Sequence, residues 1–266
     1  MKILAIESSG LTAGCAYLED GIIKSEYYIN NRLTHSRTLL PMIEDMSKLS
    51  GITLSELSAV AVSAGPGSFT GLRIGAATAK GLTLAFDIPI VKVSSLKGLA
   101  ALIPSDNTLI CPIMDARRGE VYCAAYLCKS SGNGDFLYDA LIPDSAMPMD
   151  SFTGMVEKVM DEKRIGASLF TGDGVPVHRT LIMERLADRA SFAPEGLGRQ
   201  RAMSIALLGA QEFEKGNTVS SDDFVPDYLR RPLAEKEKEE GILEDPGTHS
   251  LKKIQKGEFK RTRHPL

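Results

Sequence analysis

The stretch Ala64-Gly-Pro-Gly-Ser-Phe-Thr-Gly71 carries the residue types best spaced for chemistry. Glycines at a strand-to-helix turn let backbone N–H groups close round a phosphate, and Ser68 is a good N-cap at a helix start that attracts anions. A Walker-type loop also needs a lysine after its last glycine to reach the outer phosphates. None follows Gly71, and the spacing from Gly65 through Gly67 to Gly71 is one residue longer than the dinucleotide fingerprint. Nucleophilic catalysis has little to work with. His35 and Ser36 adjoin, but no acid is spaced to complete a triad. The four histidines (His35, His178, His249, His264) form no i, i+4 pair with one another, so no metal site of the two-histidine kind is expected. Cys15, Cys111, Cys123 and Cys128 contain no C-x-x-C pair and read as reduced, packed thiols.

The helix after the turn invites a different reading. Gly71, Gly75 and Ala79 recur at four-residue intervals, as do Thr70, Ile74 and Thr78. Each glycine inside a helix costs about 0.5–1 kcal/mol relative to alanine, so a closely packed neighbour must compensate. That neighbour is either the chain's own sheet or a second subunit. Leu39, Ile43 and Met46 supply an adjacent apolar stripe on a helix that stops at Gly51 and is begun or kinked by Pro41. Two such helices from each of two chains would make a four-helix interface. Its candidate contact residues are Leu39, Ile43, Met46, Gly71, Ile74, Gly75, Thr78 and Leu82.

Strands are expected at 2–7, 14–18, 22–29, 58–63 and 90–93, then at 108–116, 120–129, 135–141 and 167–171. Helices fall between and after them, near 150–161, 176–187 and 201–216 among others. Three strands followed by alternating helix and strand, occurring twice, imply an α/β protein of two similar domains, 1–105 and 106–232, with a turn cluster at Pro104–Asn107 between them. Residues 233–266 are charged and poor in large apolar side chains, and read as a flexible tail. Its stretch 252–263 holds six Lys or Arg against one Glu.

With 266 residues, 43% hydrophobic and 24% charged, the composition is that of an ordinary globular protein. The net charge of −3 gives the whole chain no electrostatic footprint for nucleic acid. Charged residues interrupt every apolar run before it reaches the length of a membrane span, and the N-terminus lacks a signal-peptide core. A cytoplasmic protein is expected, with no membrane contact.

Five segments, ILAIESS at 3–9, HSRTLLPMI at 35–43, SAGPGSFTGLRIG at 63–75, MDARRGEVYCAAY at 114–126 and PDYLRRP at 226–232, together resemble the TsaB (YeaZ) family. The resemblance implies an actin/hexokinase-like (ASKHA, ribonuclease H-like) fold. It also implies a noncatalytic subunit in synthesis of threonylcarbamoyladenosine at position 37 of tRNA. The implied partners are the transferase TsaD and the ATPase TsaE, with a homodimer when the chain is alone and tRNA met mainly through the complex. No cofactor is assigned to the chain itself, and binding of ATP or ADP at the level of that complex is left open. TsaD-like sequences bind a metal through an HMEGH-type segment; the matching stretch here, VSSLKGLA at 93–100, puts Ser95 and Leu99 at the ligand positions. Leu11 and Thr12 stand where the acidic residues of a TsaD-like first turn would fall. Glu7, Ser8, Gly65, Gly67 and Asp173 form the candidate nucleotide set. Glu7 would either hold a magnesium-bound water or cap the hairpin, and Asp173 belongs to a second phosphate loop or to a plain glycine turn. Arg117 and Arg118 would meet tRNA phosphate or a partner's carboxylate, or simply cover a solvated hairpin. Two other functions compete: a nucleotide-binding phosphotransferase or ATPase, and a glycoprotease-like peptidase.

Overall fold

The computed structural model describes residues 1–31, 33–132 and 136–230. The first half of the chain runs β1 (Lys2–Glu7), β2 (Ala13–Glu19), β3 (Ile22–Ile29), α1 (His35–Ser50), β4 (Ala59–Gly65), α2 (Phe69–Phe86), β5 (Ile90–Ser94) and α3 (Ser95–Ala101). The second half runs β6 (Thr108–Asp115), β7 (Glu120–Ser130), β8 (Phe136–Pro148), α4 (Met149–Lys163), β9 (Ser168–Thr171), α5 (Val175–Leu186), β10 (Ala190–Phe192) and α6 (Ala202–Glu214). Each half builds a five-stranded sheet of the same order, β3-β2-β1-β4-β5 and β8-β7-β6-β9-β10. In both, the first three strands pair antiparallel and the last two join in parallel through helices. This repeated mixed α/β topology is the fold class expected.

The inner strands β1, β4 and β6 are nearly all apolar because helices cover both faces of each sheet. Along β1, Leu4 and Ile6 point to the side covered by α1 and α2, where they meet Leu39, Met42, Ile43 and Met46. Ile3 and Ala5 point the other way, to Ala202, Ile205 and Ala206 of α6. In the second sheet, Leu109, Cys111 and Ile113 face α4 and α5, whereas Ile110 and Met114 face Leu96 and Leu99 of α3. Helices α3 and α6 therefore lie between the two sheets, and Gly98 lets Ile205 press against the backbone of α3.

Residues Met1–Leu229 form one compact unit. Although α6 follows all of the second sheet in sequence, it packs on the first. The link is electrostatic as well as apolar. Glu26 of β3 accepts from Arg201 Nε at 3.2 Å and Nη2 at 2.6 Å, and from the Met203 amide of the first turn of α6 at 3.1 Å. After α6 the chain bridges to β5 through Val219 and Ile90, buries Phe224, and bonds Asp227 N–H to the Ala64 carbonyl oxygen at 2.7 Å. The charged tail expected at 233–266 lies outside the described residues.

Three elements differ from their sequence expectations. Helix α1 runs through Pro41 instead of beginning there; Pro41 and Arg37 are exposed, so water can serve the Arg37 carbonyl that lacks an N–H partner. Strand β8 continues to Pro148 past Pro143. An edge strand tolerates proline because one side of its ladder is unpaired. The three-residue β10 is too short to show a periodicity.

Candidate functional site

The turn after β1 is stitched to the N-terminal end of α2. Ser8 Oγ donates to the Gly71 carbonyl oxygen at 2.9 Å, and the Ser68 amide donates to the Ser9 carbonyl oxygen at 2.7 Å. His35 Nε2 lies 3.0 Å from the Gly10 carbonyl oxygen, which ties α1 to the same turn. A side chain at Gly71 would overlap the Ser8 carbonyl oxygen, and one at Gly75 would overlap Ser8 Oγ. The inner glycine stripe of α2 thus serves the chain's own first strand and turn, the intramolecular alternative of the two left open above. Leu39, Ile43 and Met46 likewise face inward and are fully buried in the first core. Ile74, Thr78 and Leu82 are half-buried.

The outer side of α2 carries a second stripe that sequence reading did not separate from the first. Thr70, Ile74, Ala77, Gly81 and Leu84 recur at intervals of four, three, four and three. This is the seam spacing of paired helices. All but Ile74 are exposed, Leu84 by 75%, and a side chain at Gly81 would meet nothing within 4 Å. Arg73 and Lys80 flank this seam seven residues apart and have no ion-pair partner among the described residues. Beside α2, α1 exposes Leu40 by 58%. The signal that could have found the stripe was the 4–3 spacing itself, hidden by the more regular Gly71–Gly75–Ala79 repeat.

Between the two sheets lies a cleft of about 490 Å³. Ser9, Gly67, Phe69, Asp115, Arg117 and Asp173 are among the residues that line it. The candidate nucleotide set is only partly gathered here. Gly67 and Asp173 line the cleft, whereas Glu7 and Ser8 are buried behind it and Gly65 packs against the Asp227 backbone. The amides expected to hold a phosphate are already engaged: Ser68 N–H with Ser9, and Gly71 N–H with Ser68 Oγ at 3.3 Å.

Glu7 Oε1 accepts from Ser9 N–H and Ser9 Oγ, both at 2.6 Å, so the carboxyl caps the turn. Its Oε2 is buried without a partner. Burial dominates over these hydrogen bonds and raises the carboxyl to a pKa of about 7. Asp173 Oδ1 accepts from the Asp115 amide at 3.2 Å, and its Oδ2 lies 3.8 Å from Arg199 Nη1. Burial raises this acid too, against the opposing pull of the Asp115 N–H and Arg199. Arg117 and Arg118 are exposed at the tip of the β6–β7 hairpin, and Arg117 lines the cleft. Of the two metal-ligand positions considered, Leu99 belongs to the core and Ser95 Oγ is buried without a partner. Among the described residues no cluster of three His, Cys, Asp or Glu is placed to hold a metal, and no helix is long and apolar enough to cross a membrane.

Comparison with known proteins supplies the context for this geometry. The family model described as TsaD, tRNA N6-adenosine threonylcarbamoyltransferase, matches residues 30–238. The tRNA threonylcarbamoyladenosine biosynthesis protein TsaB of Bacillus subtilis is 34% identical over 235 residues, covering 88% of this chain and 96% of its own. Its Escherichia coli counterpart is 31% identical with the same coverage. Among solved structures, YeaZ from Pseudomonas aeruginosa superposes with a TM-score of 0.67 at 24% identity, over 85% of this chain and 100% of its own. A further Pseudomonas aeruginosa protein, described as similar to the peptidase YeaZ, gives 0.70 at 23% identity over 86% and 99%. These two likenesses speak to the fold alone.

Proposed function

Because the chain belongs to the TsaB family of tRNA threonylcarbamoyladenosine biosynthesis proteins, we propose that it acts as a noncatalytic docking subunit. It binds the transferase TsaD through the outer faces of α1 and α2, in a complex that the ATPase TsaE completes. The observation that carries this reading is the outer stripe of α2. Gly81 forfeits about 1 kcal/mol of helix propensity with nothing packed against it, and Leu84 leaves an apolar side chain in water. A second helix laid along Thr70, Ile74, Ala77, Gly81 and Leu84 would recover both losses, since small residues let two helices approach closely. Arg73 and Lys80 flank the seam where coiled-coil partners place orienting charges, so the partner helix would carry acids opposite them. When the transferase is absent, the same face pairs two copies of this chain.

Substituting Gly81→Gln tests the reading, because the site is open and the helix should become slightly more stable. Co-purification with TsaD should be lost while the melting temperature holds or rises. A variant that still binds TsaD as tightly as the wild type would remove the docking face. ATP turnover or tRNA modification by this chain alone would remove the noncatalytic role.

A further inference from the structure

A second cavity, of about 480 Å³, lies within the second half of the chain, where β9 and β10 end. Two turns build it. The β9–α5 turn is pressed onto β6: Gly174 N–H donates to the Ile113 carbonyl oxygen at 3.2 Å, and a side chain at Gly172 would overlap that same oxygen. This fixes the start of α5, whose Val175, Pro176 and Arg179 line the cavity. On the other side Ala193 N–H donates to the Phe170 carbonyl oxygen at 2.9 Å, and the chain beyond brings Glu195 and Arg199 to the cavity.

The donors gathered here exceed the partners that the fold gives them. Thr171 lines the cavity, is 1% exposed, and its hydroxyl is buried without a hydrogen bond. Leaving a buried hydroxyl unsatisfied is costly, and packing alone would favour valine there. The Arg179 guanidinium lies 3.9 Å over the Phe192 ring and has no ion-pair partner among the described residues. Stacking fixes the plane of a guanidinium and leaves its N–H edge free for an oxyanion. Arg199 is held only loosely, its Nη1 3.8 Å from Asp173 Oδ2 and beyond hydrogen-bond reach. The remaining charged residues of the lining, Asp173 and Glu195, are acids that would repel a second anionic group. The cavity is far larger than a bare phosphate or carboxylate, and Phe170, Val175, Pro176 and Ala193 give it an apolar wall. We infer that it binds a small organic molecule with a single oxyanion group, a carboxylate or a phosphate monoester. Arg179, Arg199 and the Thr171 hydroxyl hold that group, and the apolar wall holds the body. Nothing in the assignment depends on the docking face.

NMR titration of the full chain with benzoate and with phenyl phosphate, read from amide chemical shifts, tests the inference. At least one probe should give saturable shifts confined to residues 170–179 and 192–199, and the tighter of the two names the class. Benzyl alcohol, which lacks the charge, and inorganic phosphate, which lacks the apolar body, should each bind at least about tenfold more weakly. Arg179→Met keeps an apolar chain over Phe192, so it should weaken the probe about tenfold without changing the melting temperature. Thr171→Val exchanges the hydroxyl for a methyl group of the same shape. Its melting temperature should hold or rise while affinity falls about fivefold, the reverse of what a purely structural hydroxyl would give. No saturable shift with either probe, or an affinity that neither variant lowers, would overturn the assignment. Inorganic phosphate binding as tightly as phenyl phosphate would show an adventitious ion only, and tighter binding of Mg–ATP at the same residues would replace the single-oxyanion ligand with a polyphosphate; either result sinks the proposal.

Discussion

Ser8 Oγ donates to the carbonyl oxygen of Gly71 at 2.9 Å, which draws the first turn of α2 against the end of β1 with no room for a side chain between them. One glycine stripe of the helix is thereby explained by the chain's own packing, and the stripe on the opposite side, Ile74 apart, is left exposed.

Replacing Gly71 by alanine should destabilise the fold. The added Cβ meets a main-chain oxygen, which cannot swing aside as a flexible side chain could. Overpacking of this kind costs about 1–3 kcal/mol, and the gain in helix propensity returns at most about 1. Denaturant unfolding should register a net loss of about 1–2 kcal/mol, and unchanged stability would contradict the close approach.

Gly81→Ala should act in the opposite sense. Open space surrounds the position, so only the propensity term remains and stability should rise by about 0.5–1 kcal/mol. The two substitutions lie on one helix and differ only in the face they occupy. If both destabilise, the inner and outer assignments of α2 are wrong.

Glu7 should make stability depend on pH. Its carboxyl has a folded pKa of about 7 against an ordinary 4.5. Between those values the native state keeps a proton that the unfolded chain has released, so stability falls as pH rises through this window and levels off above it. The penalty at the upper plateau is roughly 3 kcal/mol. Glu7→Gln retains an oxygen to accept from Ser9 and cannot ionise. Urea unfolding at pH 5 and pH 8 should therefore show a smaller difference for the variant than for the wild type, and equal differences would rule out a neutral Glu7.

Glu26→Ala should loosen α6 from the first sheet. The substitution strips Arg201 of its carboxylate partner and leaves the Met203 amide unbonded. A cost of about 2 kcal/mol is expected, with Glu26→Gln in between because it keeps an acceptor. Hydrogen exchange at residues 202–214 should accelerate first, and uniform acceleration across the chain would show that α6 is not a separately anchored element.

By itself the sequence determined the repeated α/β plan, because strand and helix periods are local properties that each segment displays without knowing its neighbours. Even the edges of α2 were legible: Ser68 caps its start through the Gly71 amide, and the glycine turn before it marks the end of β4. Faces were another matter. Helix α2 presents small or apolar residues on two sides, and composition could not say which side the sheet would take. Only the tertiary structure placed Ser8 under Gly71 and nothing under Gly81, returned α6 to the first sheet, and brought the Tyr228 ring within 5.1 Å of the Phe69 ring across a sequence separation of 159 (228 − 69). Such contacts depend on chain closure over long separations, and short-range periodicity carries no record of them.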